Sequence, residues 1–180
     1  MTTLKQKIIE SSLVFSGKFL KVIRDKIQYP DNSTFVYEYI KHPGATAIIA
    51  ITENNEIILE RQFRHSVQME IIEIPAGKID DNETELDAAI RELREETGCS
   101  AKNWTKLGEC LPCIGYSDEK ISYYLAENLS AGEKQLDHGE FIETFTLPIE
   151  ECFKLAYSGK LNDSKTLSGL MLYKGYLDSH

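Results

Sequence analysis

Apolar positions along the chain change period several times, and each change predicts an element. Residues 17–39 read as a hairpin: Phe19, Leu20, Val22 and Ile23 lead in, Tyr29-Pro30-Asp31-Asn32-Ser33 is a turn cluster, and Thr34-Phe35-Val36-Tyr37-Glu38-Tyr39 is rich in strand formers. Residues 8–16 before it are only weakly patterned. His42-Pro43-Gly44 breaks the run, and residues 45–52 are continuously apolar, as in a strand buried on both faces. A tight turn at Glu53-Asn54-Asn55-Glu56 leads to a strand over residues 57–64, and residues 69–74 predict another. After residue 84 the period lengthens to that of a helix. Leu86, Ala89, Ile90 and Leu93 form the expected buried stripe, Thr84 with Asp87 the N-terminal cap, and Gly98 the left-handed terminator. Residues 105–110, 121–126 and 141–147 are strand-like. Pro148 opens a second helix running to about Tyr157, and Asp163-Ser164 caps a third through Leu170 to Tyr176. No internal repeat, low-complexity tract or linker interrupts this order of strands, helix, strands and helices.

Composition narrows the function classes. A chain of 180 residues, 42% hydrophobic and 27% charged, suits one globular domain with a substantial core. Its net charge of −9 opposes a nucleic-acid or membrane-surface binder, because no basic field exists to attract phosphate. An anionic ligand would need local arginines or a metal ion to invert that field. No apolar run is long enough to span a bilayer, and Met1-Thr2-Thr3-Leu4-Lys5 does not open a signal peptide, so the default expectation is a cytoplasmic protein. Cys110 and Cys113 form a lone C-x-x-C, readable as a redox pair or half a zinc site. Without a second such pair, all four cysteines are expected to be ordinary thiols in a reducing compartment.

The densest chemistry lies in residues 74–99. Glu92 and Glu96 are one helical turn apart and Glu92 and Glu95 are three residues apart, so the three carboxylates can share a face. Like charges at that spacing destabilise an isolated helix by roughly 0.2–0.5 kcal/mol per pair. A positive partner is therefore expected, and a divalent metal ion is the obvious one.

The same stretch resembles the signature of the Nudix family of pyrophosphohydrolases. That pattern is Gly, five residues, Glu, seven residues, Arg-Glu, an aliphatic, any residue, Glu-Glu, any residue and Gly; Gly77, Glu83, Arg91, Glu92, Leu93, Glu95, Glu96 and Gly98 fall on it. At average residue usage, seven such identities coincide by chance about once in 10⁸ starts. Cys99 replaces the usual closing aliphatic, and a buried thiol packs much like one. Beyond the signature, His42-Pro43-Gly44-Ala45, Arg61-Gln62-Phe63-Arg64, Glu73-Ile74-Pro75-Ala76-Gly77-Lys78 and Gly115-Tyr116-Ser117-Asp118-Glu119-Lys120 resemble the family's ADP-ribose pyrophosphatase branch. Gly139-Glu140-Phe141-Ile142-Glu143 and Asp163-Ser164-Lys165-Thr166 resemble its later segments. Ile114 stands where that branch usually carries Pro, which leaves open the nucleotide sugar preferred.

The resemblance implies an α/β (α+β) fold: a Nudix α/β/α sandwich with a mixed sheet, preceded by an N-terminal antiparallel hairpin. Residues 1–42 would form the hairpin region and residues 43–180 the catalytic domain, in a homodimer with the hairpins at its interface. It implies Mg2+ or Mn2+ held by Glu92, Glu95, Glu96, the Ala76 carbonyl and Glu140, with Gly77, Glu83 and Arg91 as structural support. Arg64 and Arg61 are candidate phosphate clamps. Three apart in a strand, they face opposite sides, and Arg64 is the favoured one. Glu73 and Glu119 are candidates for holding ribose or orienting water, and Gly115 for shaping the substrate loop. Glu140, Glu119 and His138 compete as general base, with Glu95 also in the catalytic set. The expected reaction is hydrolysis of a nucleoside diphosphate sugar, foremost ADP-ribose to AMP and ribose 5-phosphate. Another sugar such as GDP-mannose is the alternative, and a non-catalytic nucleotide-sugar sensor a more distant one.

Overall fold

A computed structural model describes residues 5–136 and 139–180, so His138 lies outside the described residues. The described chain forms two compact units. One holds the described residues up to Pro43 together with Cys113–Lys120, and the other holds Gly44–Pro112 with Ile121–His180.

The smaller unit is an antiparallel sheet in which β2 (Lys21–Gln28) lies between β1 (Lys7–Ser16) and β3 (Thr34–Lys41). The hairpin joining β2 and β3 turns at Tyr29–Ser33, where Asn32 takes a positive φ of 68° and the Asp31 carboxylate accepts the Ser33 N–H. β1 is the strand that residues 8–16 did not announce. All ten of its residues are exposed, and register shifts between Ile8 and Glu10 and between Leu13 and Phe15 move its apolar side chains from face to face. Strict alternation arises where one face is buried, and here neither is. Cys113–Lys120 is tied to the end of β3: Ile40 N–H donates to the Tyr116 carbonyl (2.8 Å), and Asp118 accepts from Lys41 and from His42 N–H (2.7 Å).

The larger unit contains two sheets. In the first, β4 (Ala45–Ala50) pairs with β7 (Ala76–Lys78) antiparallel and with β9 (Ile121–Ala131) in parallel, and β8 (Cys99–Cys110) completes the order β7-β4-β9-β8. In the second, β5 (Glu56–Arg64) lies between β10 (Ile142–Pro148) and β6 (Met69–Glu73), all antiparallel. Side-chain alternation divides the core in two. Ile48, Ala50, Ile58, Tyr124 and Ala126 pack with Ala89 and Leu93 of α1 (Glu85–Thr97). Their odd-numbered neighbours Ala47, Ile49, Ile57, Leu59, Tyr123 and Leu125 pack with Cys152 of α2 (Ile149–Tyr157) and Leu170 and Tyr173 of α3 (Ser164–Ser179). A mixed sheet layer thus separates one helix from two, the α/β/α arrangement expected.

Two details differ from the sequence reading. β8 and β9 pair along their whole length, from Cys99 opposite Ala131 to Cys110 opposite Ile121, so both outrun the apolar runs at 105–110 and 121–126. Hydrophobicity marks only their buried parts. Within α1, Leu86 and Ile90 are 36% and 42% exposed, and the residues buried are Ala88, Ala89, Leu93 and Glu96. At 100° per residue, the inward arc is centred between Ala89 and Glu92, which pushes Leu86 and Ile90 to its outer flank and turns Glu92 and Glu96 inward. The acidic face of this helix thus runs into its buried face, where Glu96 lies beside Ala89 and Leu93.

Candidate active site

α1 is held at both ends. Thr84 Oγ1 accepts the Asp87 N–H (3.1 Å) while its hydroxyl donates to the Asp87 carboxylate (2.6 Å), and Gly98 ends the helix at φ 75°. A side chain at Gly98 would also strike the Gly132 carbonyl at 2.7 Å, because the segment after β9 passes close to this helix end. Gln135 N–H donates to the Glu95 carbonyl (3.0 Å) along the same path, which continues toward Gly139 and Glu140.

The glycine loop and the acidic face are fitted to each other. A Cβ on Gly77 would stand 1.8 Å from Glu92 Oε1, and Ala76 N–H donates to Glu96 Oε2 (3.0 Å). Arg91 collects the neighbouring carboxylates. It donates to both oxygens of Glu83 (2.9 Å each), to Glu92 (2.8 Å), to Glu95 (3.1 Å) and to the Lys78 carbonyl (3.0 Å). Those hydrogen bonds hold the Glu83 carboxyl below its ordinary range.

The facing wall comes from β5 and β6. Glu60, Gln62 and Arg64 share the strand face that Ile58 turns toward α1, and Glu73 sits directly across from Glu60. Arg64 grips Glu73 bidentately at 2.6 and 2.8 Å; Glu73 is 4% exposed, whereas the guanidinium side is 44% exposed. Lys165 at the start of α3 also bonds to Glu73 and, at 2.9 Å, to Asp163. Asp163 caps α3 through the Thr166 N–H (2.9 Å) and hydroxyl (2.7 Å), and Thr166 Oγ1 accepts the Ile74 N–H (3.0 Å). The start of α3 is thereby fastened to the strand that leads into the glycine loop. Arg61 lies on the opposite face of β5, paired with Glu143 (2.8 Å) and 5.4 Å over the Phe145 ring.

Burial pushes Glu92, Glu96 and Glu60 above the ordinary carboxylate range, and for Glu96 the negative charges of Glu60 and Glu92 add to the effect. Glu140 is exposed, and its charge raises Glu92 and Glu96 further. Glu119 and Gly115 belong to the smaller unit. Glu119 Oε1 lies 3.9 Å from His42 Nε2, and a Cβ at Gly115 would meet nothing within 4 Å. All four cysteines are free thiols. Sequence reasoning did not single out Glu60 or the charge of Lys165. The signal for Glu60 was its parity with Arg64 in a strand whose preceding residues, Ile57-Ile58-Leu59, are apolar.

The donor set fits a hard divalent cation: it is all oxygen, Glu60 Oε1 meets no hydrogen-bond partner among the described residues, and the absence of a side chain at Gly77 lets the Glu92 carboxylate lie against the loop backbone. Among the described residues no three acidic, histidine or cysteine side chains converge as a preformed metal cluster. The reason is visible in their partners: Arg91 draws Glu92 and Glu95 aside and Ala76 N–H holds Glu96.

A sheet layer between helices, with a glycine-rimmed acidic helix at one end, defines a Nudix-type hydrolase. The NUDIX domain profile matches residues 41–168, and the chain belongs to the Nudix family, whose hydrolases generally need divalent metal ions. The chain is 38% identical to an ADP-ribose pyrophosphatase of Bacillus subtilis (strain 168) over 92% of its own length and 91% of the relative's. It is 36% identical to a methanol dehydrogenase activator of Bacillus methanolicus, over 91% and 89%. Among solved structures, an ADP compounds hydrolase superposes with a TM-score of 0.89 at 22% identity, covering 99% of this chain and 98% of that one.

Proposed function

We infer that the chain hydrolyses the diphosphate of a nucleoside diphosphate sugar, foremost ADP-ribose, to AMP and ribose 5-phosphate. The observation that carries this reading is the buried Glu92–Glu96 face locked against the glycine loop, with a half-exposed arginine on the facing wall. The similarity to an ADP-ribose pyrophosphatase over nearly the whole chain supports the substrate. Mg2+ or Mn2+ would be held by Glu92, Glu95, Glu96, the Ala76 carbonyl and Glu140, and supplies charge neutralisation and water activation. Arg91, itself held by Glu83, orients the Glu92 and Glu95 carboxylates that would hold the ion. Arg64 is the diphosphate clamp: Glu73 fixes the orientation of its guanidinium through Nε and Nη2, while the side chain stays 44% exposed. Arg61, engaged on the other face of the strand, is assigned to the sheet rather than to substrate. Glu140 is favoured as the base that accepts the proton of the attacking water, with Glu119 as the rival.

The exposed Ile8, Leu13, Phe15, Phe35 and Tyr37 of the N-terminal sheet support a homodimer built through that sheet. Light scattering that returned a single-chain mass would rule it out. Four free thiols agree with a cytoplasmic address, and no helix among the described residues is long and apolar enough to cross a membrane. The function is tested by chromatography of products from ADP-ribose and a panel of other nucleotide sugars, with Mg2+ and with EDTA. AMP and ribose 5-phosphate should be released from ADP-ribose fastest and only with the ion. Preferential cleavage of another sugar would transfer the reading to that substrate, and turnover of none would end it.

A further inference from the structure

Glu60 is 96% buried, because its exposure is 4%, and its Oε1 has no hydrogen-bond partner among the described residues. A carboxylate in that state is costly, and proteins seldom retain one without a cation or a donor to satisfy it. Lys165, Lys134 and Arg64 reach Glu60 through their charge, but none donates a hydrogen bond to that oxygen. Arg64 is spent bidentately on Glu73, and Lys165 is shared between Glu73 and Asp163. Both cations are thus bonded to other carboxylates, and neither donates a hydrogen bond to the buried Glu60 oxygen.

Placement says where that ion would be. Ile58 packs on Ala89 and Leu93 of α1. Glu60 is two residues beyond Ile58 on the same strand face, and Glu96 is three residues beyond Leu93 on the same helix face. The two carboxylates therefore approach each other from sheet and helix, at the end of the core where Ala76 N–H meets Glu96.

We propose that Glu60 is the sheet-side carboxylate of the cation site: the divalent ion held by Glu92 and Glu96 is the partner that its buried oxygen lacks. This rests on the reading of Glu92 and Glu96 as ligands, and it adds a residue outside the signature stretch. A buried acid that merely fills space would leave ion affinity untouched when replaced.

The test is Mn2+ binding to the full chain, followed by the electron paramagnetic resonance signal of free Mn2+, beside thermal melts in EDTA and in Mn2+. Glu60→Gln, which keeps the shape, should bind Mn2+ about tenfold or more weakly. Glu60→Leu should melt no lower than wild type in EDTA and lose most of the Mn2+-induced rise in melting temperature. Affinity of Glu60→Gln within twofold of a wild type that does bind overturns this proposal and leaves the Glu92–Glu96 site standing. Absence of saturable Mn2+ binding by the wild type overturns both.

Discussion

Gly77 has no room for a side chain, because the Glu92 carboxylate occupies the place a Cβ would take. Gly77→Ala must displace either the loop or Glu92, and a misplacement of about 1 Å at a reacting centre costs on the order of 10²-fold in rate. The expected outcome is a loss of about that size in kcat with an unchanged far-UV circular dichroism spectrum. Near wild-type turnover would show that Glu92 works from another position. The carboxylates of α1 were legible from their spacing alone, since three repelling acids on one helical turn need an explanation. Glu60 was not. A single acid after an apolar run reads as the strand's solvent side, and only the pairing of β5 with β6 and the packing of Ile58 on α1 turn it inward. Pairing between distant segments leaves no local mark on a sequence.

Among the elements, α1 was the most legible because both of its caps are local chemistry: Thr84 with Asp87 at one end and Gly98 at the other. Its inward face was displaced by about a fifth of a turn, since Leu86 and Ile90 are apolar but lie on the flank while Glu96 takes an interior place. α3 carries a different device. Burial pushes the Asp163 carboxyl up, but the Lys165 charge and the hydrogen bonds from Thr166 and Lys165 outweigh it and hold the group below its ordinary 3.8. A carboxyl depressed in the folded state adds stability above the unfolded value, and that stability is lost as pH falls through the folded one. Asp163→Ala should therefore cost about 1–2 kcal/mol in urea denaturation at neutral pH. The gap from wild type should narrow below pH 3.8. A penalty that does not vary with pH would mean the cap acts through shape and not through charge.

At the scale of the whole molecule, net charge and composition excluded broad classes and could go no further. An acidic chain that handles an anionic diphosphate must invert its field locally, and the groups we propose for this are Arg64 on one wall and the divalent ion that the carboxylates of the other would hold. The α/β/α layering was readable from the order of elements together with the signature stretch. The N-terminal sheet was readable only in part, because an exposed strand such as β1 has no buried face to impose a period. The most direct test of the central claim is the rate of ADP-ribose cleavage as Mg2+ is titrated, for wild type and Glu96→Gln. Saturable, Mg2+-dependent release of AMP and ribose 5-phosphate is expected from the wild type, and a loss of about 10²-fold or more in Glu96→Gln. Cleavage that proceeds in EDTA, or a Glu96→Gln variant with the wild-type rate and Mg2+ dependence, would contradict it.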